Sequence, residues 1–296
     1  MKKKAFSTIK LLRPRQWIKN LAIFAAITFN GELFNTPLLQ NALLGFFVFC
    51  GLSSAIYIMN DIFDIEKDRL HPFKKFRPLA SRALSLPYAL AVSLVLIAVS
   101  LYVGSFIGGG FFILIVSYLV LQVWYSMLLK HIAIIDILAL AGGYILRVYA
   151  GEFATGLHIS VWLLLTTISI SLFLAIGKRR SELTLIFNYS DNQKKLIRSS
   201  LSHYSERLLD VYASIFATST FITYALFTFL ENPSGFKPSL GFLLPQFLPE
   251  FLQRKWLMIT IIPVVYGLMR YLQDIYEKHE GESPERVLLS DRPLLV

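Results

Sequence analysis

Three aspartates crowd into ten residues, Asn60-Asp61-Ile62-Phe63-Asp64-Ile65-Glu66-Lys67-Asp68-Arg69, directly after an apolar run from Leu43 to Met59. That run is long enough to form most of a transmembrane helix. If the helix continues, Asn60, Asp64 and Asp68 fall at i, i+4 and i+8, and Asp61 reaches Asp64 and Asp68 through i+3 and i+7. Like charges this close repel, and ionised groups beside hydrocarbon are costly, so a cation is expected among them. Oxygen-only donors suit Mg²⁺, which takes a few carboxylates, keeps waters and bridges to substrate phosphates. The expectation is therefore a metal site for a diphosphate, with Asn60, Asp61, Asp64 and Asp68 as ligands. The competing reading is a solvated helix end, because Lys67 and Arg69 stand among the acids.

The elements that must position this motif are membrane helices. Of the 296 residues, 55% are hydrophobic and only 16% charged, where a soluble domain carries about 25% charged. The apolar residues come in long runs, not in the alternating ten-residue segments of a barrel. An all-α, polytopic bundle forming a single domain, 1–296, is expected, with spans at about 17–34, 39–60, 86–105, 110–128, 133–151, 159–177, 210–230 and 256–275. Pro238–Leu252 is short and proline-broken and reads as interfacial. The single cysteine, Cys50, lies within a span and excludes intrachain disulfides. No Walker loop, GxGxxG or Cys/His ligand pattern occurs, and nucleic acid is not an expected partner.

Charge fixes the orientation. With the N-terminus inside, inner segments hold 25 of the 29 Lys and Arg, and outer segments hold Lys237, Arg254 and Lys255. The positive-inside rule then puts both termini and the acidic motif on the cytoplasmic side. Much of this surplus, Lys194-Lys195 included, is topology and lipid attraction. Lys130, Lys178 and Arg179 differ, because each closes a span at the acidic end and is placed to meet phosphate. Arg147, inside the fifth span, is expected to snorkel or to make a structural pairing.

These residues resemble a family. Asn60-Asp61-x-x-Asp64-x-x-x-Asp68 followed by Arg77-Pro78-Leu79-Ala80-Ser81 is similar to the first aspartate-rich motif of the UbiA superfamily of intramembrane prenyltransferases. Four further pieces resemble its decaprenyl-phosphate phosphoribosyltransferase branch. They are Arg13-Pro14-x-Gln16-Trp17-x-Lys19-Asn20, His71-Pro72-x-Lys74-x-x-Arg77-Pro78, Tyr125-Ser126-x-x-Leu129-Lys130, and the stretch from Gly281-Glu282 to Asp291-Arg292-Pro293. Where the superfamily usually carries a second DxxxD, this chain has Lys178-Arg179-x-x-Glu182. The family also commonly has a ninth span.

The resemblance implies transfer of 5-phosphoribose from 5-phosphoribosyl 1-diphosphate to a polyprenyl phosphate, with Mg²⁺, in a bacterial cytoplasmic membrane. Asp61, Asp64 and Asp68 would act through the metal. Lys19, Asn60, Lys74, Arg77, Tyr125, Lys130, Lys178, Arg179 and Glu182 would contact substrate. The charge pattern fits independently, since one acidic cluster opposed by cations suits two phosphorylated substrates. Two other readings compete: a prenyltransferase acting on an aromatic or quinone precursor, and a cation-coupled transporter. The transporter is disfavoured because its carboxylates belong near the midplane and no internal repeat is visible. A homo-oligomer is compatible with all three.

Overall fold

The computed structural model describes residues 2–70, 74–185, 199–231 and 256–276. His71-Pro72-Phe73, Lys194-Lys195, Pro238–Leu252 and the 281–293 motif lie outside these residues. Every regular element among the described residues is helical. In order the α-helices, between which short 3₁₀ pieces lie, are α1 (Lys2–Leu12), α2 (Ala25–Phe29), α3 (Thr36–Phe63), α4 (Ile65–Leu70), α5 (Leu86–Ile107), α6 (Gly109–Met127), α7 (Ile135–Thr155), α8 (Val161–Leu185), α9 (Glu206–Leu230) and α10 (Ile261–Tyr276).

Six of these, α3 and α5 to α9, are long and apolar enough to cross a membrane, so the chain is a multi-pass membrane protein. The two remaining stretches expected as spans are not among them and are not continuous α-helices. At the first, a 3₁₀ helix over Pro14–Phe24 runs into the five-residue α2. A 3₁₀ helix rises about 2.0 Å per residue against 1.5 Å for an α-helix, so this pair reaches about 30 Å, the thickness of the hydrocarbon core. A stretched backbone replaces the expected continuous helix at 17–34. At the last, a 3₁₀ turn over Trp256–Thr260 leads into α10 and has a similar reach.

Helix α3 starts on Thr36-Pro37, where proline's missing N–H costs nothing. At 28 residues it is about 42 Å long, so one end must pass the hydrocarbon. It is the central helix, with 61% of its span buried, whereas α5 has 17% and turns Leu94, Val95, Tyr102 and Phe106 outward. Gly108 alone joins α5 to α6 at φ 154, a conformation open to glycine. Phe49, Leu52, Phe111, Ile115 and Tyr118 join α3 to α6, while Ile137, Phe173, Ile176, Leu209 and Tyr271 join α7 to α10.

Arg147 does not snorkel. It is buried, with Nε donating to Asn20 Oδ1 at 2.8 Å, Nη1 to the Gly143 carbonyl at 2.8 Å and Nη2 to Tyr118 Oη at 2.6 Å. It ties the 3₁₀ segment to α6 and α7, and the structural pairing is the correct half of the expectation.

Candidate active site

Apolar packing sets the geometry before any charge acts. Leu11 of α1, Ile58 of α3 and Leu79 of the loop before α5 meet in one buried cluster with Leu84 and Ala89. Arg13 stands two residues after Leu11, Arg77 two before Leu79, and Asp61 three after Ile58. Packing the three leucine and isoleucine side chains thus brings two guanidiniums to one carboxylate.

Arg13 Nη2 and Arg77 Nη1 both donate to Asp61 Oδ1, the second at 3.1 Å, and Arg77 Nη1 also donates to Asp68 Oδ2 at 2.6 Å. Arg13 lies over the Tyr57 ring, 5.2 Å from its centroid, and adopts φ 52, uncommon for a residue with a side chain. Asp61 and Asp68 are both buried. Burial pushes the Asp68 carboxyl above its ordinary range, and the opposing pull of Arg77 offsets only part of that.

The expected stripe does not survive intact. Helix α3 ends at Phe63, and Asp64 turns the chain at φ −100, ψ 9 before α4 restarts. Asp64 keeps its backbone bond to the Asn60 carbonyl at 3.0 Å, yet its carboxylate leaves the Asp61–Asp68 pair. It takes Lys130 instead, whose Nζ lies 3.0 Å from Oδ1 and 3.1 Å from Oδ2. Three carboxylates therefore meet three cations, Arg13, Arg77 and Lys130, from three different parts of the chain. Among the described residues, no three His, Cys, Asp or Glu side chains gather tightly enough to grip a metal as they stand.

A second buried network supports the turn that carries Lys130. Asp136, in the first turn of α7, is fully buried. Its Oδ2 is 2.7 Å from Arg179 Nε, an ion pair, and accepts from Ser200 Oγ at 3.1 Å. Its Oδ1 accepts from Tyr204 Oη at 2.7 Å. Arg179 also donates to Glu182 and, at 2.9 Å, to Tyr125 Oη. This corrects one expectation: Arg179 is not presented to a phosphate but spends its guanidinium on Asp136, Glu182 and Tyr125 at zero exposure.

The other expected residues sort as follows. Lys19 is half-buried on the 3₁₀ segment beside Asn20, and Lys178 is half-buried on α8. Lys74 opens the turn whose carbonyl accepts the Arg77 N–H at 2.9 Å. Arg77 and Lys130 thus pair with the aspartates, Lys74 acts electrostatically on Asp68, and Asn60 adjoins Asp61 on α3, while Tyr125, Arg179 and Glu182 form the adjoining network. Arg13, Ser200 and Tyr204 were not foreseen as site residues. Only Arg13 had a signal, an arginine held before a proline in a basic stretch at the membrane edge.

A sequence model of the UbiA prenyltransferase family matches residues 21–289. The chain belongs to the UbiA prenyltransferase family. Among its relatives, the decaprenyl-phosphate phosphoribosyltransferase of Corynebacterium glutamicum is 34% identical over 292 residues, covering 97% of this chain and 82% of that protein. The protein of the same name from Mycolicibacterium smegmatis is 32% identical, with 97% and 87% covered. Two solved UbiA structures share the fold. A UbiA homologue from Archaeoglobus fulgidus bound to Cd²⁺ superposes with a TM-score of 0.70 at 18% identity, covering 97% of this chain and 94% of that one. A UbiA homologue from the same organism bound to GPP and Mg²⁺ gives 0.64 at 19%, covering 91% and 99%. The UbiA fold expected from the motifs is thus the fold observed.

Proposed function

We propose that this UbiA-family chain, acting as a single domain, transfers 5-phosphoribose from 5-phosphoribosyl 1-diphosphate to a polyprenyl phosphate of decaprenyl type. The reaction takes place at the cytoplasmic face of a bacterial inner membrane, with both termini on that side. The relatives' names support the activity. The observation that carries it here is the match of three carboxylates to three cations at one end of the bundle. A carboxylate given over to Mg²⁺ leaves its cation for a phosphate, and two phosphorylated substrates use all of them. A neutral aromatic or quinone precursor would bring no anion to these partly buried cations, whereas a polyprenyl phosphate does.

The donor set fits Mg²⁺. Asp61, Asp64, Asp68 and Asn60 offer oxygen only, and Asp61 and Asp68 already share one guanidinium nitrogen. Held by these residues, Mg²⁺ would neutralise the charge developing on the leaving diphosphate. Arg77 and Lys74, on the loop after α4, hold donor phosphates. Lys130 holds the acceptor phosphate, with Lys178 and Lys19 adding positive potential. An acceptor oxygen forms the new bond to the anomeric carbon as the bond to diphosphate breaks. That oxygen is already ionised near neutral pH, so no general base is required, and catalysis rests on positioning and electrostatics.

Purified full-length chain offered radiolabelled phosphoribosyl diphosphate, Mg²⁺ and decaprenyl phosphate should move label into the lipid phase. Lys130→Ala should raise the KM for the lipid phosphate by about tenfold to a hundredfold, the worth of a charge-assisted contact, and that for the donor much less. No transfer, together with prenylation of an aromatic acid from a prenyl diphosphate, would overturn the assignment.

A further inference from the structure

Lys130 sits on an irregular turn that the local sequence gives no reason to hold still. The turn passes from a 3₁₀ piece, Leu129–His131, to Ile134, which has φ 69 and ψ −49. A β-branched residue at positive φ is strained and persists only where its surroundings over-determine it. Here the surroundings come from a distant segment, Ser199–His203 and the residue after it. Tyr204 Oη accepts the Ile134 N–H at 2.5 Å and donates to Asp136 Oδ1 at 2.7 Å. Ser200 Oγ lies 3.1 Å from both the Lys130 carbonyl and Asp136 Oδ2. Ser200 and Tyr204 are buried, and Arg179 completes the charge balance of Asp136. Burial and the neighbouring Asp136 push the Tyr204 phenol up, which keeps it protonated and donating.

We propose that Tyr204 and Ser200 are positioning residues for the transfer: through Ile134, Asp136 and the Lys130 carbonyl they hold the strained turn that aims the Lys130 ammonium. This rests on the reading of Lys130 as the acceptor-phosphate contact. The clamp defines where the acceptor headgroup docks relative to the donor phosphates held by Arg77 and Lys74, so it governs the acceptor KM and not donor binding.

Tyr204→Phe removes the hydroxyl and keeps the packed ring. Two measurements test the proposal on the full chain in lipid nanodiscs. Hydrogen exchange of the peptide covering 128–136 should speed up in Tyr204→Phe, because the Ile134 amide loses its acceptor. The KM for decaprenyl phosphate should rise about fivefold to tenfold, with the donor KM and kcat within twofold, and Ser200→Ala should shift it in the same direction. In a Lys130→Ala background, Tyr204→Phe should add less than twofold, because its effect passes through the lysine. Unchanged exchange, equal losses for both substrates, or an effect that multiplies with Lys130→Ala would each overturn the clamp and leave the acceptor role of Lys130 standing. If Lys130→Ala itself leaves the acceptor KM unchanged, the acceptor reading fails, and the clamp's functional role fails with it.

Discussion

Gly151→Ala is a one-carbon test of how the 3₁₀ segment is held. An alanine Cβ there would stand 1.9 Å from the Ile23 carbonyl oxygen and 2.9 Å from its carbonyl carbon. Carbon–oxygen contacts settle at about 3.3 Å or more, so the backbone of the segment must retreat by more than about 1 Å. Overpacking of this kind costs about 1–3 kcal/mol. The retreat also stretches the Asn20–Arg147 bond, now 2.8 Å, past hydrogen-bonding range. That loss, at a buried cation, adds about 1.5–3 kcal/mol. Together these predict about 2.5–6 kcal/mol, or a fall in apparent Tm of about 5–12 °C at roughly 2 °C per kcal/mol for a chain this long. Gly267→Ala is the control. Its Cβ would meet nothing within 4 Å inside α10, so helix propensity alone should raise the Tm by about 2 °C or less. Thermal unfolding of both variants in one detergent decides the matter. A Gly151→Ala midpoint within 2 °C of the parent would refute the close backbone approach and the clamping role given to Arg147.

Other substitutions probe the site and the topology. Asp64→Asn keeps the size, and Asp64 is partly exposed, so folding should survive while Mg²⁺-dependent donor binding falls more than tenfold by equilibrium binding; near-normal turnover with the same Mg²⁺ dependence would make the acidic cluster structural. Arg179→Met should cost about 3–5 kcal/mol, because it strands the fully buried Asp136, and a thermal midpoint equal to the parent's would show that the pair carries little weight. In a Cys50→Ala background, single cysteines at Ser7 and Ser290 should resist an impermeant thiol reagent in intact cells; labelling of either without permeabilisation would reverse the proposed orientation.

What the sequence disclosed and what it hid follow from how far apart the deciding partners lie. The acids were legible because carboxylates at the end of an apolar run are costly wherever they sit. The break at Asp64 was not, since neither glycine nor proline marks it and the 60/64/68 spacing suits a continuous helix. Asp64 is taken from that spacing by Lys130, 66 residues away, and Asp61 is held by Arg13, 48 residues away. The irregular backbone over Pro14–Phe24 was hidden for a related reason: the close approach that accommodates it depends on Gly151, far away on α7. Arg179 was read as a phosphate contact because a cation at a helix end is ordinarily exposed. Glu182 stands one turn away on the same helix, but Asp136 and Tyr125, which take the rest of the guanidinium, reach it only in the fold. Ser200 and Tyr204 carry no local signal at all, being lone hydroxyls in a polar stretch. Their weight comes from the partner each finds: a strained amide, a buried carboxylate and the carbonyl of the lysine that the chemistry needs in place. A residue can therefore bear on catalysis through a backbone bond no sequence pattern encodes, and at this site the strained φ of Ile134 is the observation that exposes it.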